Sequence, residues 1–282
     1  MSLPIYASPV DALNYYGLRV FAAVVLFFLI IPILVIMPLS FNAEPFFTFT
    51  EGMLKLDGDA YSLRWYRSIF ESEAWITAIK NSFFIGFFAT MLAMTLGTLA
   101  ALGLSSRHMP FKPLIMGLLI SPMIVPLIIS AASMYFFFSK VNLAQTYIGI
   151  IMAHAVLGIP FVIITVTATL IGFDEDLRKV SLSLGATPTQ TFFKITMPLI
   201  RPGIISGALF AFATSFDEVV VVLFIAGTDQ KTIPREMWSG MREQLSPTIL
   251  AVASLLVVIS TLLLLTLELI RRRNARIRGF VS

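Results

Sequence analysis

Six stretches of this chain are apolar for long enough to cross a lipid bilayer, near residues 18–39, 76–104, 113–138, 147–171, 203–226 and 248–270, each bounded by charge or proline. A hydrocarbon core of about 30 Å takes about 20 helical residues at a rise of about 1.5 Å each. The chain is therefore expected to be an all-α integral membrane protein of about six transmembrane helices. Composition agrees, since 57% of the 282 residues are hydrophobic and 13% are charged, about half the charged share of a soluble domain. A water-soluble core of that size could not hide so much apolar surface. The first stretch begins too far in and runs too long for a cleavable signal, and no small-residue cleavage pattern follows it, so it is read as a span. No internal repeat divides the chain, and residues 1–282 are read as a single transmembrane domain.

Charge orients these spans. With the N-terminus inside, the cytoplasmic side carries Arg19, Arg107, Lys112, Arg178, Lys179, Lys194, Arg201, Arg271, Arg272, Arg273, Arg276 and Arg278, against Lys55, Arg64, Arg67, Lys140, Lys231, Arg235 and Arg242 on the other side. Basic flanks stay cytoplasmic, so both termini are expected inside a bacterial inner membrane, with lipid as the surrounding partner. Position thus accounts for the net charge of +4, and nucleic acid is not implied. Cysteine is absent, and His108 and His154 lie far apart in sequence, so neither a thiolate site nor a metal site is expected, and no cofactor. Packing or surface roles suit both histidines. In the outer loop 40–75, Trp65, Tyr66 and Trp75 suit the headgroup level.

The inner loop, 172–202, is patterned for a partner. Asp174, Glu175 and Asp176 precede Leu177, placing acids at a helix start where amides lack acceptors, with Arg178 and Lys179 following. Leu177, Val180, Ser181 and Leu184 then share one helix face as a narrow, mostly apolar stripe. Gly185 marks the helix end, because glycine takes the left-handed conformation without a side-chain clash. Thr187 and Pro188 start a second short helix, expected to run to a break at Pro198. On pattern alone the hairpin suits either a membrane surface or a rigid knob offered to a cytoplasmic protein.

Leu184-Gly185-Ala186, nine residues between Gly185 and Ile195, and then Met197-Pro198 resemble the cytoplasmic signature of ABC importer permeases: EAA, three residues, G, nine residues, I, one residue, LP. Lys179, Val180 and Ser181 stand where the EAA part belongs, and Met197 replaces a leucine. Leu63-Arg64-Trp65-Tyr66, Asn81-Ser82 and Ser215-Phe216-Asp217-Glu218 extend the resemblance to the spermidine/putrescine branch, over about residues 18–280. It implies the type I importer permease architecture, with 172–202 as the coupling loop and Leu177, Lys179, Val180, Ser181, Leu184, Gly185 and Ala186 as the ATPase-coupling residues. It also implies a cytoplasmic ATP-binding subunit dimer, a second permease subunit and an extracytoplasmic solute-binding protein. The chain itself has no Gly-Lys pair and hence no phosphate-binding loop, so ATP hydrolysis and catalytic residues are not expected in it.

Asp217 and Glu218 fall inside the fifth stretch, in its outer half. A carboxylate facing lipid costs several kcal/mol, so at least one should meet a cavity, a partner or a base. Successive helical residues point about 100° apart, so the two should not share one environment. They are the candidate substrate-path acids, for an ammonium solute such as a polyamine, with a packed or paired acid as the alternative. Gly203 and Gly207 allow close helix approach within the chain or to another subunit. Pro122, Pro126 and Pro160 are expected to interrupt the third and fourth stretches. Other readings are a permease for an opine, an amino-acid-like or another small solute, a self-sufficient secondary transporter or channel, and a membrane scaffold without a path.

Overall fold

The computed structural model describes residues 9–106, 109–171, 175–243 and 246–277. Among them the backbone is helical apart from turns, loops and one isolated bridge between Asn42 and Tyr61. The helices are α1 (Pro9–Leu39), α2 (Glu51–Leu54), α3 (Arg64–Glu71), α4 (Glu73–Ser105), α5 (Lys112–Ile120), α6 (Leu127–Lys140), α7 (Tyr147–Ile171), α8 (Glu175–Ser183), α9 (Pro188–Thr191), α10 (Met197–Phe216), α11 (Val220–Ile225), α12 (Ile233–Glu243) and α13 (Thr248–Ile277). Among the described residues five helices are long and apolar enough to cross a membrane, and a sixth span arises if the bent pair α5 and α6 counts as one. His108, Arg107, Asp174 and Arg278 lie outside the described residues.

Two units divide the chain. The first comprises residues 1–69 and 244–259. Its α1 is exposed along its apolar length, as suits a helix solvated by lipid. After α1 the loop is held by side chains: Trp65 Nε1 donates to the Asn42 carbonyl at 2.8 Å, Ser40 Oγ and Tyr66 OH share a hydrogen bond at 2.6 Å, and Asn42 Nδ2 donates to the carbonyls of Phe46 and Thr48. Trp65 and Tyr66, expected at lipid headgroups, are half-buried and pin this loop, because a polar loop must satisfy its own donors and acceptors.

The second unit, residues 70–243 and 260–282, is built on α4, α7 and α10. Helices in lipid gain little from hiding apolar surface, so small residues that permit close backbone contact decide their pairing. On α4, Ala89, Ala93, Gly97 and Ala101 recur every four residues and are all buried. A Cβ added at Gly97 would lie 2.7 Å from Val162 Cβ of α7, and one at Gly207 of α10 would lie 2.5 Å from Thr165 Oγ1. Gly203 likewise abuts Thr165 and Thr169, so the Gly203 and Gly207 pair serves contact within the chain. A second apolar cluster joins Ile85 of α4, Phe138 of α6, Ile150 and Leu157 of α7, and Val221, Val222 and Ile225 of α11.

Three expectations about breaks are corrected and one is met. The third stretch is interrupted at Pro122 and Pro126 as expected: α5 passes through a 3-10 turn at Ser121–Met123 and meets α6 at 97°, with Pro126 as the residue before α6. Pro160, by contrast, does not interrupt α7. Pro198 does not end its helix either. A π turn at Phe192–Thr196 widens the backbone ahead of it, with Met197 N bonding back to Phe192 O, and the helix runs on from Pro188 to Phe216. The fifth stretch, expected to be continuous over 203–226, ends at Phe216 and resumes as α11 at Val220.

Candidate functional site

Two features of the second unit stand at opposite ends of α10. The first is the α8–α9 knob that precedes it. Leu177, Val180 and Leu184 of the apolar stripe are exposed (49%, 56% and 82%), whereas Ser181 turns inward and its Oγ lies 3.0 Å from Thr191 Oγ1 of α9. Gly185 adopts φ +85°. Its N–H donates to Leu182 O at 3.0 Å and the Ala186 N–H donates to Ser181 O at 3.2 Å, the paired bonds that close a helix through a left-handed residue. Nothing lies within 4 Å of where a Gly185 Cβ would stand, so conformation rather than space requires glycine. Lys179 Nζ pairs with Asp176 Oδ1 at 2.7 Å on the exposed side. Thr187 and Gln190 form a reciprocal capping box that restarts the chain as helix. From Pro188 the helix continues for 29 residues, about 43 Å, so α9 and the far end of α10 belong to one continuous helix.

The second feature is the acidic break at that far end. Phe216, the last residue of α10, stacks with Phe212, and both rings meet Phe83 of α4, with centroids 5.5, 5.2 and 6.4 Å apart for the pairs Phe212–Phe216, Phe83–Phe216 and Phe83–Phe212. Asp217 follows with its N–H bonded to Ala213 O, and its side chain is exposed. Glu218 is 7% exposed and its Oε1 accepts from the Val221 N–H at 2.8 Å, tying off the start of α11. The neighbouring acids therefore stand in different surroundings, one open and one enclosed.

Beyond α11 a polar clamp returns the chain to the ends of α4 and α7. Asn81 Nδ2 donates to the carbonyls of Asp229 and Lys231 at 2.8 and 2.9 Å, while its Oδ1 accepts from Tyr147 OH at 2.9 Å. Ser82 Oγ accepts from the Ile233 N–H at 2.8 Å. Arg235 Nη1 donates to the carbonyls of Ala226 and Gly227, both at 2.8 Å. Burial lowers the pKa of this guanidinium, with the Glu236 carboxylate opposing the shift, and arginine keeps its charge regardless.

His154 of α7 is buried, with Nδ1 2.7 Å from Ser215 Oγ of α10. In the sequence Asn81, Ser82 and Ser215 stand out only through the family resemblance, Arg235 only as one of the basic residues, and Tyr147 not at all. Asparagine inside an apolar run is a usable signal, but its acceptors here are backbone carbonyls 148 and 150 residues away, which leave no mark in composition. Among the described residues no group of three His, Asp or Glu side chains is placed to hold a metal.

Residues 93–276 match the family model described as the binding-protein-dependent transport system inner membrane component. The chain is 31% identical over 261 residues to the spermidine/putrescine transport system permease protein PotC of Haemophilus influenzae, covering 93% of this chain and 98% of that relative. It is 30% identical over 242 residues to the putrescine transport system permease protein PotI of Escherichia coli, covering 81% of each. Its fold is similar to a chain of a bacterial ABC transporter involved in the import of the acidic polysaccharide alginate, with TM-score 0.70, 14% identity, and coverage of 94% of this chain and 99% of that one.

Proposed function

Because this chain belongs to the family of binding-protein-dependent transport system inner membrane components, we propose that it lines the path of a small organic cation, most simply a polyamine such as spermidine or putrescine. Membership makes it a multi-pass inner-membrane transport subunit rather than an enzyme. In the proposed importer, energy comes from a cytoplasmic ATP-binding subunit dimer, solute from an extracytoplasmic binding protein, and the other half of the path from a second permease subunit. Both termini lie in the cytoplasm, in accord with the basic flanks.

The single observation that carries the cation reading is the exposed Asp217 at a helix break, in a chain whose relatives are named as polyamine permeases. A fixed carboxylate offsets the hydration that an ammonium group loses on entering the membrane. Exposed Phe83 and its ring partners beside the break add faces that attract cations. Glu218 supports this division by being enclosed and committed to α11. Coupling follows from the link between α8 and the helix that starts at Pro188: the ATPase grips the face of Leu177, Val180 and Leu184 at Gly185 and Ala186, Ser181 ties α8 to Thr191, and the helix through α10 carries the displacement to Asp217.

Asp217→Asn keeps the size and removes the charge. In vesicles holding the assembled transporter it is expected to slow cation uptake about ten-fold or more while leaving assembly and basal ATPase activity near wild type. Undiminished uptake in both Asp217→Asn and Glu218→Gln rejects a substrate role for the acids, and loss of the assembled complex assigns them to packing. A self-sufficient secondary transporter or channel would work without an ATPase. Co-purification of an ATP-binding subunit therefore separates that reading from this one.

A further inference from the structure

We propose that His154 and Ser215 are positioning residues that set the axial register of α10 and thereby the place of the acidic break. The inference deepens the reading of Asp217 as a path acid and rests on it. The seam between α7 and α10 is antiparallel: Gly158 meets Ala211, Val162 and Thr165 meet Gly207, and Thr169 meets Gly203. One helical turn further toward the break, the same register brings His154 to Ser215. The closest backbone approaches involve glycine, alanine and short β-branched side chains, while Phe161 and Phe210 stack between the two helices with ring centroids 6.0 Å apart and Val166, Ile200 and Ile204 pack in the same apolar cluster. Apolar contacts of this kind hold the helices together but are not directional and tolerate small axial offsets. A hydrogen bond is directional and is met at one axial position only.

The pair has the features of such a pin. Nδ1 and Oγ are 2.7 Å apart, and the residues are 1% and 5% exposed, so no water competes for the bond. The ring is bulky for a small-residue seam, and its Nε2 is buried with no partner among the described residues. Burying an imidazole with one nitrogen unsatisfied is unfavourable relative to an apolar side chain of similar size, so packing alone does not account for it. Fixing register is the best-attested use of a buried polar group among apolar helices. Ser215 stands two residues before Asp217, at the last turn of α10, where a shift of one residue would rotate the acid by about 100°.

The test uses the assembled transporter in vesicles, with uptake normalised to intact complex. Ser215→Ala and His154→Leu each remove the bond and are expected to lower uptake about three- to ten-fold, as for loss of one buried hydrogen bond. The double variant should fall no further than the lower of the two, because both remove the same interaction. His154→Asn, whose amide reaches the place of Nδ1, should keep at least about half the wild-type uptake if the bond is what matters. Wild-type uptake in Ser215→Ala overturns the proposal, as do losses that multiply in the double variant or His154→Asn behaving like His154→Leu. If His154→Leu fails to assemble, Ser215→Ala and His154→Asn still decide. Impaired Ser215→Ala beside a silent Asp217→Asn sinks the acid's role and leaves the pin supported as fixing the break. Impaired Asp217→Asn beside a silent Ser215→Ala overturns the pin alone.

Discussion

Lys179 stands where the resembling importers carry a glutamate, and the structure pairs it with Asp176 one turn earlier on the same exposed face. A partner surface built for this chain would then present an acid opposite Lys179 rather than a base. At an exposed site such a pair contributes only about 0–1 kcal/mol. Lys179→Glu should accordingly weaken association with the ATP-binding subunit by no more than about five-fold, and more at low ionic strength than at high. The quantity to measure is ATPase retained per permease on purification at two salt concentrations. Tighter association of Lys179→Glu would mean that the partner presents a base and that Lys179 is incidental. At the same scale Asp217 and Glu218 illustrate how adjacent acids diverge: one is left open at the end of α10, and the other spends an oxygen on the Val221 amide.

Among the elements, the α8–Gly185–α9 turn has a geometry that depends on a single residue. Its closing bonds need φ +85° at Gly185, and a β-branched side chain there is strained by about 1–3 kcal/mol whatever room surrounds it. Gly185→Val should therefore re-aim the exposed Leu177, Val180 and Leu184 face, so that solute no longer stimulates ATP hydrolysis or the ATPase no longer co-purifies. Transport and stimulation both at wild-type levels in Gly185→Val would show that the turn does not dock. The π turn at Phe192–Thr196 matters for the same mechanism, because the helix runs through it and past Pro198 unbroken, which joins α9 to α10. Between α5 and α6 the 97° bend leaves two helices of 9 and 14 residues, each too short to cross a bilayer alone.

For the molecule as a whole, the basic flanks assign a side of the membrane to each connection, and the absence of cysteine makes the assignment easy to test. Ser183→Cys places a thiol on the knob and Thr228→Cys places one after α11, both at exposed positions. An impermeant maleimide added to intact cells should label Thr228→Cys, and should label Ser183→Cys only after the membrane is opened. The reverse pattern would invert the orientation and remove the cytoplasmic ATPase from reach of the knob.

Spans, the helix end at Gly185 and the acids of the fifth stretch were legible in the chain because each follows from local chemistry. Apolar length answers to bilayer thickness, glycine answers to positive φ, and charge in an apolar run stands out against its neighbours. Breaks were less legible. Pro122 and Pro126 accompany a bend while Pro160 and Pro198 lie in unbroken helix, since a proline's effect depends on whether the surrounding backbone and packing can take up its ring and its missing donor. Only the tertiary structure decided what Asn81, Ser82, Tyr147, His154 and Ser215 do, because their partners lie 61 to 151 residues away in the chain. It also decided that Asp217 opens outward while Glu218 closes in. That choice depends on where α10 stops, and α10 stops where its small-residue seam with α7 gives way to the apolar packing of α11 against α6 and α7, a boundary made by contacts between helices.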